Sequence, residues 1–276
     1  MIKKKKWKDI ALSVLILCAV IIFLSPVIWM ILCSFKKDVE IFRYPPTFLP
    51  ENPTVQAYID QFEGNLLPAF KNSMIIAGGS MIISMILGIP AAYGLASFAS
   101  KLRKPMILGF LVTQMLPPAL LLTPLFLFYT NIHIINTRMA PIISTATLSI
   151  PFIVILMRPF FASLPKTVEE AARLDGCTVF GSFFRIMIPI AKPGMITSAI
   201  FAFIFPWNDL VYSMAFISDS SLWPMTTNIN NFQTKYGTQW NSILAFGVCL
   251  IIPIVIIFIF LQKYIVSGMT AGAVKE

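Results

Sequence analysis

Three groups of residues in this chain have the types and spacing to do chemistry. Asp209 is the single acid in the run from Gly194 to Ile217, and it stands among Trp207, Asn208 and Tyr212. An ionisable group in so apolar a stretch is a functional-site candidate, because a charge held there is costly. Rings at 207 and 212 offer an aromatic surface for a sugar face, with Asn208 and Asp209 beside it to bond hydroxyls. The plainer alternative is an interfacial aromatic belt with a structural carboxylate. The second group is rich in amides: Asn228, Asn230, Asn231 and Gln233. Amides donate and accept together, which suits a hydroxylated ligand or a polar protein surface, or simply a surface turn. The third group is Glu169, Glu170, Arg173 and Asp175. Its two Glu are neighbours in sequence, not a pair of acids facing each other across a cleft.

Other chemistry has no residues to carry it. There is no G-x-x-x-x-G-K-S/T, no G-x-S-x-G and no His/Glu pair at metal spacing. The expectation is therefore no bound cofactor, no metal and no ATP site of the chain's own. The four cysteines form no C-x-x-C pair, and His133 is the single histidine. An intramembrane enzyme built on Asp209 is an alternative, weakened by the lack of a second catalytic group.

These residues must be positioned by membrane-spanning helices. The chain has 276 residues, a mean hydropathy of +0.81, 57% hydrophobic residues and 12% charged. Soluble domains carry about a quarter of their residues charged. The net charge of +9 points to orientation rather than to nucleic acid, because Lys3, Lys4, Lys5, Lys6 and Lys8 directly precede an uncharged run. That run is too long for a cleaved leader and continues through Pro26 and Trp29, so it reads as a retained first span. Uncharged runs predict six helices, at about 10–34, 73–99, 105–130, 139–160, 194–217 and 241–262. Lipid admits helices or closed barrels, and no strand alternation is visible. The expected class is thus an all-α polytopic membrane protein, a single domain over 1–276 with core helices at about 73–262.

Six crossings put both termini on one side. Of the 21 Lys and Arg, fifteen then fall on the terminal side and six on the other, so both termini and the 160–193 loop are expected to be cytoplasmic. Outside, residues 36–71 should be extended by Pro45, Pro46, Pro50 and Pro53, with a short helix near 55–61. Pro90 in the second span and Pro117, Pro118 and Pro124 in the third predict irregular backbone. In lipid such backbone survives only against protein or a watery path.

The cytoplasmic loop has a grammar of its own. Thr167 and Glu170 read as a capping box, and both Glu sit in a first turn. Gly176 reads as a left-handed stop, followed by a Phe-rich second helix that Pro189 and Pro193 should close. The spacing Glu170-Ala171-Ala172, three residues, Gly176, nine residues, then Ile186-x-Ile188-Pro189 resembles the EAA loop of binding-protein-dependent ABC importer permeases. Ile188 stands where the family usually has Leu, and Cys177 where it often has Ala. Residues 207–209, 236–240 and 262–275 resemble the maltose-type carbohydrate permeases of that family.

The resemblance implies a coupling helix between the fourth and fifth spans. It would dock in an ATPase subunit through Glu169, Glu170, Ala171, Ala172, Asp175 and Gly176. It implies four kinds of partner: a homologous permease, an ATPase dimer that uses ATP and Mg, an extracytoplasmic solute-binding protein and membrane lipid. It places Asn228, Asn230, Asn231 and Gln233 against the binding protein, and the tail 263–276 in the ATPase interface. The cargo it implies is a carbohydrate, held mostly by the partner permease; a non-sugar solute is the alternative. The expected location is a bacterial cytoplasmic membrane.

Overall fold

The computed structural model describes residues 2–97, 101–234 and 237–271. It is almost entirely helical: α1 (Ile2–Ser34), α2 (Gln56–Glu63), α3 (Leu66–Ser97), α4 (Arg103–Met115), α5 (Leu122–Asn131), α6 (Met139–Ser163), α7 (Lys166–Leu174), α8 (Val179–Ile190), α9 (Lys192–Trp207), α10 (Val211–Phe216) and α11 (Trp240–Ala271). Among the described residues four helical segments are long and apolar enough to cross a membrane: Leu12–Ser34, Leu66–Ser97, Met139–Ser163 and Trp240–Tyr264. Two further spans exist only if bent pairs are joined. Arg103–Met115 meets Pro118–Asn131 at 96°, and Val179–Ile190 meets Lys192–Trp207 at 81°.

Both bends have a cause in the chain. Leu116 and Pro117 are extended (ψ 124° and 129°), as a residue before proline prefers. Pro118 then opens a new turn, so the third predicted span is broken rather than merely kinked. In the loop, Pro189 does not close the second helix. A π turn at Phe183–Met187 absorbs the missing amide, and the chain breaks at Ala191 instead. Pro193 lies in the first turn of α9, where a proline needs no N–H partner. The fifth predicted span ends early, at Trp207.

The contacts fall into two compact units. One comprises the chain through Leu66 together with Ile229–Ile252. Its outer segment is ordered by polar bonds: Glu40 accepts from the Glu51 N–H at 2.9 Å and the Thr47 hydroxyl at 3.1 Å. These bonds hold its carboxyl below the usual carboxylate range. Lys36, buried, donates to the Thr47 carbonyl and lies 4.8 Å from the Trp29 ring centre. The expected short helix is present as α2. Gln233–Thr234 pairs antiparallel with Gly237–Thr238.

The other unit comprises Leu67–Asn228 and the chain from Pro253. Here α6 packs along α9 and α4. One core cluster gathers Ile89, Ala92, Tyr93, Ile153, Met157, Phe161, Phe183 and Met187. Gly88 makes the α3–α6 crossing possible: a Cβ there would lie 2.8 Å from the Ile153 side chain. At the opposite end of α3, Asn72 donates to the carbonyls of Ser221 and Trp223 at 2.9 and 3.0 Å and accepts from Arg138 at 2.8 Å. That ties the last outer loop down. The backbone of residues 263–271 continues α11, so this part of the tail is helical; residues 272–276 lie outside the described residues.

Candidate functional site

Helix α7 is short, and its ends explain how it holds its shape. It begins at Lys166, after Pro165 in extended geometry, and the Val168 N–H bonds the Pro165 carbonyl at 3.1 Å. The predicted capping box is therefore absent. Proline starts the helix two residues sooner, Thr167 falls inside the first turn, and no side chain caps the N-terminus. The C-terminus is as expected. Gly176 has φ +89°, its N–H bonds the Arg173 carbonyl at 3.1 Å, and Cys177 N–H bonds Ala172 at 3.0 Å. Those two bonds are the Schellman closure that a left-handed glycine permits.

The two faces of α7 differ. Ala172 is buried against its own chain, and Glu169 is turned inward, accepting from Tyr93 Oη at 2.8 Å and from Arg173 Nη2 at 2.7 Å. Glu170, Ala171, Leu174, Asp175 and Gly176 are exposed, Leu174 at 89%. Of the six residues expected at a docking surface, four thus face outward and two anchor the helix to the protein. A cleft of about 470 Å³ opens beside it, bordered by Arg103, Glu169, Glu170 and Arg173.

Around Asp209 the chain leaves helical geometry between Trp207 and Val211. The carboxylate accepts from Tyr212 N–H at 3.1 Å, Ser213 N–H at 2.9 Å and Ser213 Oγ at 2.8 Å. It caps α10, the role that a short acid takes at a helix start. Trp207 and Tyr212 do not form an open aromatic surface; both are buried. Trp207 stacks on Phe203 at 5.6 Å, and Tyr212 on Phe216 at 5.8 Å. Of the four residues expected on a path, only Asn208 is exposed.

Asn208 opens on a cleft of about 350 Å³, whose other walls are Thr113, Gln114, Leu116 and Pro118 from the α4 break, Thr145 and Leu148 from α6, and Phe205, Asp209, Leu210, Val211 and Tyr212. Sequence reasoning missed Gln114 and Phe205. The signal for Gln114 was present, since it is the single amide side chain within 105–130.

The amide group at 228–233 is divided. Asn228 is buried in the turn Met225–Asn228, so it offers no surface to another protein. Asn230 is half-buried, while Asn231 and Gln233 are exposed. Tyr236 lies outside the described residues. No group of three or more metal-ligating side chains occurs among the described residues.

A model of the family described as binding-protein-dependent transport system inner membrane component matches residues 84–271. The chain belongs to this family. The permease is 32% identical, over 91% of its length and 89% of the relative's, to the sulfoquinovosyl glycerol transport system permease protein SmoH of Agrobacterium fabrum. It is 32% identical to the arabinooligosaccharides transport system permease protein AraQ of Halalkalibacterium halodurans, over 91% and 90%. Its fold matches a chain of a bacterial ABC transporter that imports the acidic polysaccharide alginate, with TM-score 0.79, 22% identity and coverage of 95% and 97%. The permease is thus a membrane component of an ABC importer, and the match to these relatives spans about nine-tenths of the chain, not the loop alone.

Proposed function

We propose that this permease forms, with a homologous permease, the translocation path of an ATP-driven importer for a carbohydrate delivered by an extracytoplasmic binding protein. One observation carries the reading: similarity over 91% of the chain to permeases whose named cargoes are a sugar glycoside and an oligosaccharide. The fold it shares with an alginate importer agrees.

In this reading α7 is the coupling helix. Its exposed edge, Glu170, Ala171, Leu174 and Asp175, seats in an ATPase subunit, while Gly176 sets the turn that keeps the edge clear. Closure of the ATPases on ATP and Mg draws two such helices together, and rigid-body rotation opens the path outward. Of the four amides at 228–233, the exposed Asn231 and Gln233 are the ones that face a binding protein. Both termini and α7 lie on the cytoplasmic side, as the distribution of Lys and Arg favours.

The test is the complete importer in proteoliposomes with its binding protein. Carbohydrate-dependent ATP hydrolysis and uptake of radiolabelled oligosaccharide are expected. Stimulation by amino acids or peptides, with none by any sugar, overturns the cargo.

A further inference from the structure

We propose that the cleft between Gln114, Phe205 and Asn208 is a cargo-binding subsite within this chain, built for an uncharged carbohydrate. The inference rests on the carbohydrate reading above and adds a place and a charge to it.

The backbone makes the first point. Two separate breaks, at Leu116–Pro118 and at Asn208–Leu210, border the same cleft of about 350 Å³. Broken backbone at membrane depth carries unpaired polar groups and survives only against protein or water. Helices interrupted at corresponding depth are where membrane transporters place substrate.

The side chains make the second. Asn208 and Gln114 are both exposed, each inside a long apolar run. The Asn208 amide has no hydrogen-bond partner among the described residues. Gln114 uses one N–H on the Leu148 carbonyl at 2.7 Å, which fixes the side chain and leaves its oxygen free. Exposed amides in lipid are disfavoured, so this face looks onto a polar path. The Phe205 ring lines the same cleft, 45% exposed and held edge-on by Phe152 at 5.1 Å. A fixed ring and two amides in one cleft match the apolar face and the hydroxyls of a pyranose.

Charge makes the third. Among the described residues no Lys or Arg lines the cleft. Its one acid, Asp209, is committed to Tyr212 and Ser213. A uronate would find no counter-charge here, whereas a neutral sugar needs none.

The experiment uses the full importer with the four cysteines of this chain replaced by Ser and labelling read on this chain. Asn208→Cys should react with a charged, membrane-impermeant thiol reagent in the resting or the ATP-trapped state. Ile86→Cys, also at an exposed position within an apolar run, should not. Absence of labelling at 208 in both states overturns the cleft as a path, whatever the cargo. In uptake assays Asn208→Ala, Gln114→Ala and Phe205→Ala should each slow import of a neutral oligosaccharide fivefold or more at equal membrane levels. All three at the wild-type rate overturn the subsite while leaving the carbohydrate reading intact. Faster wild-type uptake of an oligouronate than of its neutral counterpart overturns the charge assignment. Uptake of a non-sugar solute alone refutes the underlying reading, and a labelled position 208 then still marks the path.

Discussion

The Tyr93 hydroxyl donates to Glu169 at 2.8 Å, joining the end of a membrane helix to the loop helix α7. The two residues are 76 positions apart in the chain. Tyr93 is itself held between Phe161 at 5.5 Å and Phe183 at 4.8 Å, so the bond starts from a fixed ring. Any force on α7 therefore reaches α3 through a short, charge-assisted link.

Tyr93→Phe removes that link and keeps the ring packing. A hydrogen bond to a charged group contributes about 1.5–3 kcal/mol. The expected outcome is normal insertion, a lower ratio of sugar imported to ATP hydrolysed, and an α7 more open to protease. Parallel uptake and phosphate-release assays on the reconstituted importer check it; an unchanged ratio removes Tyr93 from the coupling route.

Gly176→Ala places a side chain at φ +89° and should cost about 1 kcal/mol, with Gly176→Asn closer to neutral. Gly176→Trp and Glu170→Lys should go further and uncouple transport while the chain still inserts. Membrane blots beside uptake rates distinguish this from misfolding.

Gly88→Ala should lower the melting temperature of the purified complex, because the new Cβ falls 2.8 Å from the Ile153 side chain. Overpacking of this kind costs about 1–3 kcal/mol. Combining it with Ile153→Ala, which removes the Cγ2 nearest the new methyl, should cost less than the sum of the two single changes, a non-additivity that thermal unfolding of the double variant reads directly.

Asp209→Ala should act on stability, because the carboxylate caps α10 through Tyr212 and Ser213. Loss of such a cap costs about 0.5–2 kcal/mol. Asp209→Asn keeps one acceptor and should fall between. Cargo preference should stay as in the wild type, which competition uptake between two sugars measures.

Glu40 sets an acid limit on the outer segment. Its folded carboxyl lies below the ordinary value of 4.5, so its contribution is present above that pH and is lost as pH falls through the lowered value. Glu40→Gln should flatten the stability profile below about pH 4.5 and leave it unchanged in shape near neutrality. Unfolding scans across acid pH check it.

Much of the architecture was readable along the chain. Uncharged runs located the four long apolar helices, and Gly176 announced the end of α7, because a left-handed stop is a local property of one residue. The motif from Glu170 to Pro189 pointed to the family before any coordinates. What was not readable is which side of an apolar helix faces what. Trp207 and Tyr212 look like binding aromatics in sequence, yet both are buried, since helices apolar all round carry no periodicity to show their inner face. Thr167 looks like a cap, but the turn closes first at Pro165. Local chemistry along the chain thus decided class, four of the spans and the short helix. Tertiary packing alone decided that Gln114 and Asn208, 94 residues apart in the numbering, share one cleft. Such a meeting depends on two distant breaks in the backbone coinciding in space, and no spacing rule along one strand of sequence encodes that.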